Sequence, residues 1–352
     1  MMKRFVLPVI RVLIVGLTVW IIVGLIRSID LAQVWDSISL LTWFEILAVL
    51  ALLAFVRTLN AVPLTRFIPN FPLPRAVLND LCANLISTIA PPPSDMVLRF
   101  SMFKAWGIDA TEGFAGVTLN TLMFYVVRFS APILGLIVLL VTGELRGGMV
   151  WTSGVCALVA VLILTILVSA VRAEHICATI GRTGGRVGRR FRPNAVDPEV
   201  WATKMVDFRG LVGDQLRGRW PSASLALLVM VLADAAILVY SCRSVDVPTS
   251  AVGPLVIVGG FLVAYPLTAL PFAGIGVFDA FLYEFIVART GTSYQSAIVA
   301  GVVVWRTTTL LVPYLTGGVA LGTWRHSHPK EDPLTTIEVE SEPGPAPAAD
   351  PA

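Results

Sequence analysis

Runs of about twenty apolar residues, separated by tight clusters of charge, constrain this chain more than any other feature. Coiled as a helix, a run of that length matches the ~30 Å hydrocarbon core of a bilayer. Candidate spans lie at 9–29, 43–62, 111–142, 149–171, 221–242, 249–266 and 294–323. In lipid every backbone N–H and C=O must be satisfied within the protein, which leaves helices or closed barrels. A barrel needs short alternating segments, whereas these runs are long and continuous. The expected class is therefore all-α, a polytopic membrane helix bundle. Composition agrees, with 14% charged residues against about 25% in a typical soluble domain.

The clusters of charge orient the chain. The connection 172–219 carries "RTGGRVGRRFRPN", and the positive-inside rule puts such a segment in the cytoplasm. Attraction to anionic headgroups is the sharper reading of the same residues. The N-terminus, with Lys3 and Arg4, is expected on the same side. Its apolar run is too long for a signal peptide and no small-x-small cleavage site follows, so it reads as a retained helix. Residues 326–352 are acidic and rich in Pro and Ala, the composition of a disordered tail. The "RHSHPK" at its start (325–330) favours a cytoplasmic end, which conflicts with the span count by one crossing. The run 111–142 is long for one helix, and a broken pair at 294–323 would restore the parity. Two domains are expected, a membrane domain 1–325 and the tail 326–352. The expected location is the cell (plasma) membrane, multi-pass. The four cysteines are scattered without a CxxC pair and read as small apolar residues.

Two segments break the apolar pattern, "NLISTIAPPPSDMVLRFSMFKAWG" (84–107) and "YPLTALPFAGIGVFDAFLYEF" (265–285). Proline lacks the N–H donor and clashes with the preceding turn, so neither segment can be one continuous helix. Irregular backbone survives at membrane depth only where protein or water satisfies it. Each break precedes a glycine (Gly107, Gly291), then an apolar helix with one arginine (Arg128, Arg306) and a later proline (Pro132, Pro313). Pro93 to Arg128 and Pro271 to Arg306 are equally spaced. The pattern reads as a degenerate internal repeat with two Pro/Gly-broken re-entrant helix segments; chance recurrence of Pro/Gly turns is the alternative. In transporters, paired interrupted segments point to the substrate site.

These residues also carry a resemblance. "LPFAGIGVFDAFL" resembles the Pro-Gly-Gly-Leu-Gly-Val-x-Glu signature of the lysylphosphatidylglycerol synthase transmembrane family, which includes the flippase half of the multiple peptide resistance factor. Phe272 and Ala273 stand where the family has Pro and Gly; Gly274, Ile275, Gly276 and Val277 match, and Asp279 replaces Glu. "SAIVAGVVVWRTTTLLVPYLTGGVAL" is similar to the family's alanine-rich helix, with Arg306 as its arginine and a Pro-x-x-x-Gly ending. The first half is looser: Pro93, Ser94, Asp95 and Arg99 fill the place of a Pro, a Gly-Glu and an Arg. The resemblance covers roughly residues 5–325. It implies two re-entrant helices around a central cavity and movement of a polar-headed lipid between leaflets. Lysyl transfer resides in a separate soluble domain of the fused relatives, for which the tail 326–352 is too short, so no enzyme activity is expected.

Charge within a membrane costs roughly 2.5–3.5 kcal/mol at a helix centre on insertion scales. The cavity candidates are therefore Asp95, Arg99, Arg128, Asp234, Asp279 and Arg306, with Gly274 and Gly276 at the break. A guanidinium grips phosphate with two parallel bonds; the acids could neutralise those arginines or hold a cationic headgroup. The alternative is charge pairing that only holds the bundle together. Arg57 lies near a helix end and could snorkel. Asn60, Asn84 and Asn120 could line the cavity or bond across helices. No HExxH, GxSxG, CxxC pair or P-loop occurs, and no metal or other cofactor is expected. The expected partners are a phospholipid or lipid-linked substrate and the membrane, with no nucleic acid and with homo-oligomerisation left open. The expected function is a flippase for an anionic or aminoacylated phospholipid or lipid-linked precursor. A membrane-embedded lipid-modifying enzyme, using convergent Asp95 and Asp279, and an envelope-assembly scaffold are the alternatives.

Overall fold

The structure is a computed structural model that describes residues 42–90, 93–145, 147–172, 174–191 and 197–328. The expected first span at 9–29, the N-terminal side and all but the start of the tail lie outside the described residues. The described residues form helices α1 (Trp43–Phe67), α2 (Leu73–Ile89), α3 (Ser94–Ala105), α4 (Ala110–Val141), α5 (Gly147–Arg172), α6 (Glu174–Phe191), α7 (Pro198–Leu216) and α8 (Trp220–Ser244). Then come α9 (Pro254–Ala264), two 3-10 turns (Tyr265–Ala269 and Pro271–Gly274), α10 (Val277–Thr290), a third 3-10 turn (Thr292–Tyr294) and α11 (Gln295–Ser327). There is no strand among the described residues.

Five of these segments are long and apolar enough to cross a membrane: α1, α4, Gly147–Val168 of α5, α8, and Thr292–Ser327, which is α11 with its leading turn. The chain is a multi-pass membrane protein. The outer faces of α4 and α5 expose Ile137, Leu140, Trp151, Leu158 and Leu162, an apolar surface suited to lipid rather than water.

Helix starts follow local chemistry. The Asp109 carboxylate accepts from the backbone N–H groups of Thr111 and Glu112 at the head of α4. Those bonds, Glu112 first, hold the Asp109 carboxyl below the usual carboxylate range. Asp197 does the same for α7 through Glu199. Prolines sit within the first two helical positions of α2, α7, α8 and α9, where the missing N–H is one the helix would not have bonded.

Three expectations change. The run 294–323 is not a broken pair: α11 is continuous through Pro313. Pro313 cannot bond the Thr309 carbonyl one turn back, and Arg57 Nη2 donates to that oxygen at 2.8 Å instead. Lost backbone bonds in membrane helices are tolerated where a neighbour restores them in this way. The run 111–142 is likewise one helix, α4, of 32 residues with Pro132 inside; it extends about 48 Å, well beyond a hydrocarbon core. The run 249–266 does not form a full span: α9 has 11 residues before the 3-10 turns begin, about 16 Å.

The basic connection 172–219 is not an open loop. It holds α6 and α7, packed side by side as a helical hairpin. Arg182 Nε lies 3.2 Å from Glu199 across that hairpin; the pair is exposed and contributes little.

The core centres on α8, whose Leu227, Val231, Ala235, Leu238 and Cys242 are fully buried. It packs against α1, α11, α9 and α4. Helices α4 and α9 approach closely where Gly135 meets Gly259; a Cβ on Gly135 would stand 2.9 Å from the Gly259 carbonyl oxygen.

Candidate functional site

Polar side chains recur at three- and four-residue steps on several helices, which places them on single faces. Helix α1 contributes Arg57 and Asn60; α2 contributes Asp80, Asn84, Ser87 and Thr88. Helix α4 contributes Asn120, Phe124 and Arg128, with Thr121 and Tyr125 beside them. Helix α11 contributes Arg306, Leu310 and Tyr314. Together with Asp234 of α8 and Tyr265 and Thr268 of the first 3-10 turn, these residues line a cavity of about 760 Å³.

The charges divide into satisfied pairs and solitary groups. Arg306 Nε donates to Asp279 Oδ1 at 2.7 Å, Nη2 lies 2.6 Å from the same oxygen, and Nη1 donates to the Ala273 carbonyl at 3.4 Å. Asp279 also accepts from the Gly276 N–H at 2.9 Å. One acid thus ties α11, α10 and the break together. In the first half the pair is Asp80 with Arg99. Arg99 Nη2 lies 3.6 Å from Asp80 Oδ1, Nη1 donates to Asn79 at 2.5 Å, and Asn60 donates to Asp80 at 2.7 Å.

Arg128 differs from both. Its guanidinium carbon stands 4.4 Å from the centre of the Phe124 ring, 5.4 Å from that of Tyr125 and 6.0 Å from that of Tyr265. No acid pairs with it among the described residues, and its Nε is buried without a partner. Among the described residues Arg57 too has no acid partner; it donates to the Thr309 carbonyl. Asp234 accepts from the Trp305 indole N–H at 2.9 Å and forms no ion pair among the described residues. The cavity wall therefore carries three arginines against two aspartates, Asp80 and Asp234.

Of the residues expected from sequence, Arg128, Asp234 and Arg306 reach the cavity wall, as do Asn60, Asn84 and Asn120. Asp279 and Arg99 stand one layer behind, each bonded to a wall residue. Asp95 does not line the cavity and forms no ion pair among the described residues, so it does not neutralise Arg128. The other ion pair beside the cavity joins Asp80 of α2 to Arg99 of α3 instead. Arg57, expected to snorkel, lies on the cavity wall, where Pro313 leaves it the free Thr309 carbonyl as an acceptor. Asp80 went unrecognised in the sequence because it lies in the weakly apolar "LNDLCANL". The stripe Asp80, Asn84, Ser87, Thr88 at helical spacing was the available signal.

The second break is built from left-handed backbone. Ala273, Gly274 and Gly276 have φ of 54°, 69° and 85°, a region costing an L side chain about 1–2 kcal/mol. These are the three glycine positions of the signature that the segment resembles. A Cβ at Gly274 would also strike the Leu267 carbonyl. Ala273→Gly is therefore expected to stabilise the protein by about 1 kcal/mol, the relief of strain being partly offset by unfolded-chain entropy. Chemical unfolding in detergent reads this directly; an unchanged or lower midpoint would show that Ala273 is unstrained.

Among the described residues, no group of three or more His, Cys, Asp or Glu side chains is placed to hold a metal ion. A family model described as the lysylphosphatidylglycerol synthase TM region matches residues 9–317. No curated protein matches the chain.

Proposed function

The chain belongs to the lysylphosphatidylglycerol synthase transmembrane family, and from that premise and its cavity we propose that it is a lipid translocase for a phosphodiester headgroup. The observation that carries the reading is Arg128, a mid-helix cation with no acid partner among the described residues, facing a polar cavity beside Arg57. Desolvated charge without a partner is costly, so its retention on a cavity wall suits an anion that arrives with the substrate. The buried Asn120 Oδ1, also without a partner, adds an acceptor for a headgroup hydroxyl.

The two broken segments fit the same reading. Helices α9 and α10, of 11 and 14 residues, are each shorter than a span, and α2–α3 repeats the order of helix, break and short helix. We read both as re-entrant segments that carry irregular backbone to the membrane interior, where a headgroup passes. The membrane is the cell membrane, with the basic α6–α7 hairpin on the cytoplasmic side. The reading involves no covalent chemistry: Asp95 and Asp279, the acids that a lipid-modifying enzyme would bring together, are both absent from the cavity wall.

The test is purified protein in liposomes containing phosphatidylglycerol with a fluorescent headgroup, quenched from outside by dithionite. Quenching is expected to exceed the outer-leaflet fraction measured in protein-free vesicles. Equal quenching with and without protein would refute movement of this lipid.

A further inference from the structure

The charges facing the cavity do not cancel, and one of them is an acid without a cation. Asp234 stands at the middle of α8, held by the Trp305 indole. That indole is fixed in turn by Phe261 and Phe278, whose ring centres lie 5.6 and 5.5 Å from it. Packing, not ion pairing, therefore positions the carboxyl group. The elements packed against α8 present a short set of charged or titratable groups to the same cavity. Helix α1 presents Arg57, α4 presents Arg128 and the Tyr125 phenol, and α11 presents the Tyr314 phenol and Arg306, already engaged by Asp279. Helix α9 has no ionisable side chain, and the turn after it adds the Tyr265 phenol.

With Asp234 ionised, Arg57 and Arg128 share the cavity with one uncommitted negative charge; with Asp234 neutral, they share it with none. An anion held by these arginines repels the Asp234 carboxylate across a poorly screened space. The two negative charges compete, and a proton on Asp234 ends the competition.

We propose that the cavity binds a phosphodiester anion together with one proton taken up by the Asp234 carboxylate, which makes the protein a proton–anion cotransporter. This rests on the reading of the cavity as a headgroup site. The balance is complete: a hydrogen ion from water adds to a carboxylate oxygen, no bond of the lipid changes, and the pair carries no net charge. Linkage makes each ligand strengthen the other. Affinity is therefore greatest at low pH and weakens by up to about tenfold per pH unit as pH rises through the Asp234 titration. A pH difference across the membrane then drives lipid movement.

The test is calorimetric binding to the full chain in detergent, in buffers of differing ionisation enthalpy, which reports protons taken up per anion bound. The probes are dihexanoyl phosphatidylglycerol and glycerophosphoglycerol, the same phosphodiester without acyl chains. Wild type is expected to take up close to one proton with the lipid probe. Asp234→Asn is expected to take up none and to bind without pH dependence. Asp234→Glu, which keeps a carboxyl, restores the uptake and guards against a folding failure of the amide variant. Binding to wild type without proton uptake overturns the coupling and leaves the lipid reading standing. Uptake with glycerophosphoglycerol but not with the lipid supports the coupling and overturns the lipid reading. Uptake persisting in Asp234→Asn removes Asp234 from the role. No binding of either probe overturns both readings.

Discussion

Arg128→Gln is expected to lower the rate of lipid movement by about 10- to 100-fold while leaving the unfolding midpoint in detergent unchanged or raised. Losing a hydrogen bond to a charged group costs about 1.5–3 kcal/mol, and each 1.4 kcal/mol is tenfold. The stability side follows from what Arg128 touches. It loses contact with the faces of Phe124, Tyr125 and Tyr265, of the order of 0.5–2 kcal/mol. It also loses a desolvated charge that no acid offsets, a gain of similar size. Glutamine keeps the length and polarity needed to leave the cavity wall intact. Wild-type rates in the variant would show that the solitary cation does not meet the substrate. A large fall in the midpoint would show that Arg128 is a structural residue after all.

Arg306→Ala is expected to behave in the opposite way, destabilising the protein by about 3–5 kcal/mol, the cost of removing one partner from a buried ion pair. Arg306 is 9% exposed and makes three contacts, two to Asp279 and one to the Ala273 carbonyl. Its loss leaves the Asp279 carboxylate with only the Gly276 N–H and frees the break from α11. Arg306→Lys recovers little, because an ammonium is a point charge and cannot hold the fork of contacts. The double variant Arg306→Ala/Asp279→Ala is expected to recover part of the stability, since no buried charge is then left unpaired. Chemical unfolding of the three variants decides the matter. A single variant as stable as wild type, or a double variant no better than the single, would mean that the pair does not hold the break.

The two arginines show where sequence reasoning reached and where it stopped. Both stand in equivalent surroundings along the chain, an apolar helix after a Pro/Gly break, equally spaced from a proline. The acids Asp95, Asp234 and Asp279 were candidates to neutralise such arginines, with no pairing assigned among them. Asp279 does pair with Arg306, because an acid at the third position of α10 both accepts from its own helix start and faces α11. Asp95 lies in the first turn of α3, but α3 lies against α2 and α4 with Asp95 off the cavity wall. The first-half acid is Asp80, one helix earlier. Arg57 was legible as a charge within an apolar helix, but its acceptor, the Thr309 carbonyl, lies 252 residues away.

The chain by itself determined the all-helical membrane class, the two breaks and the residue types available to a cavity. These follow from local properties: apolar run length, the missing N–H of proline, the left-handed freedom of glycine and the high cost of charge in lipid. Only the tertiary structure decided which charges are spent on one another and which stand alone. That outcome depends on the rotation and neighbours of each helix, since an ion pair forms within a few ångströms and nothing local to Arg128 or Arg306 says which helix will face it.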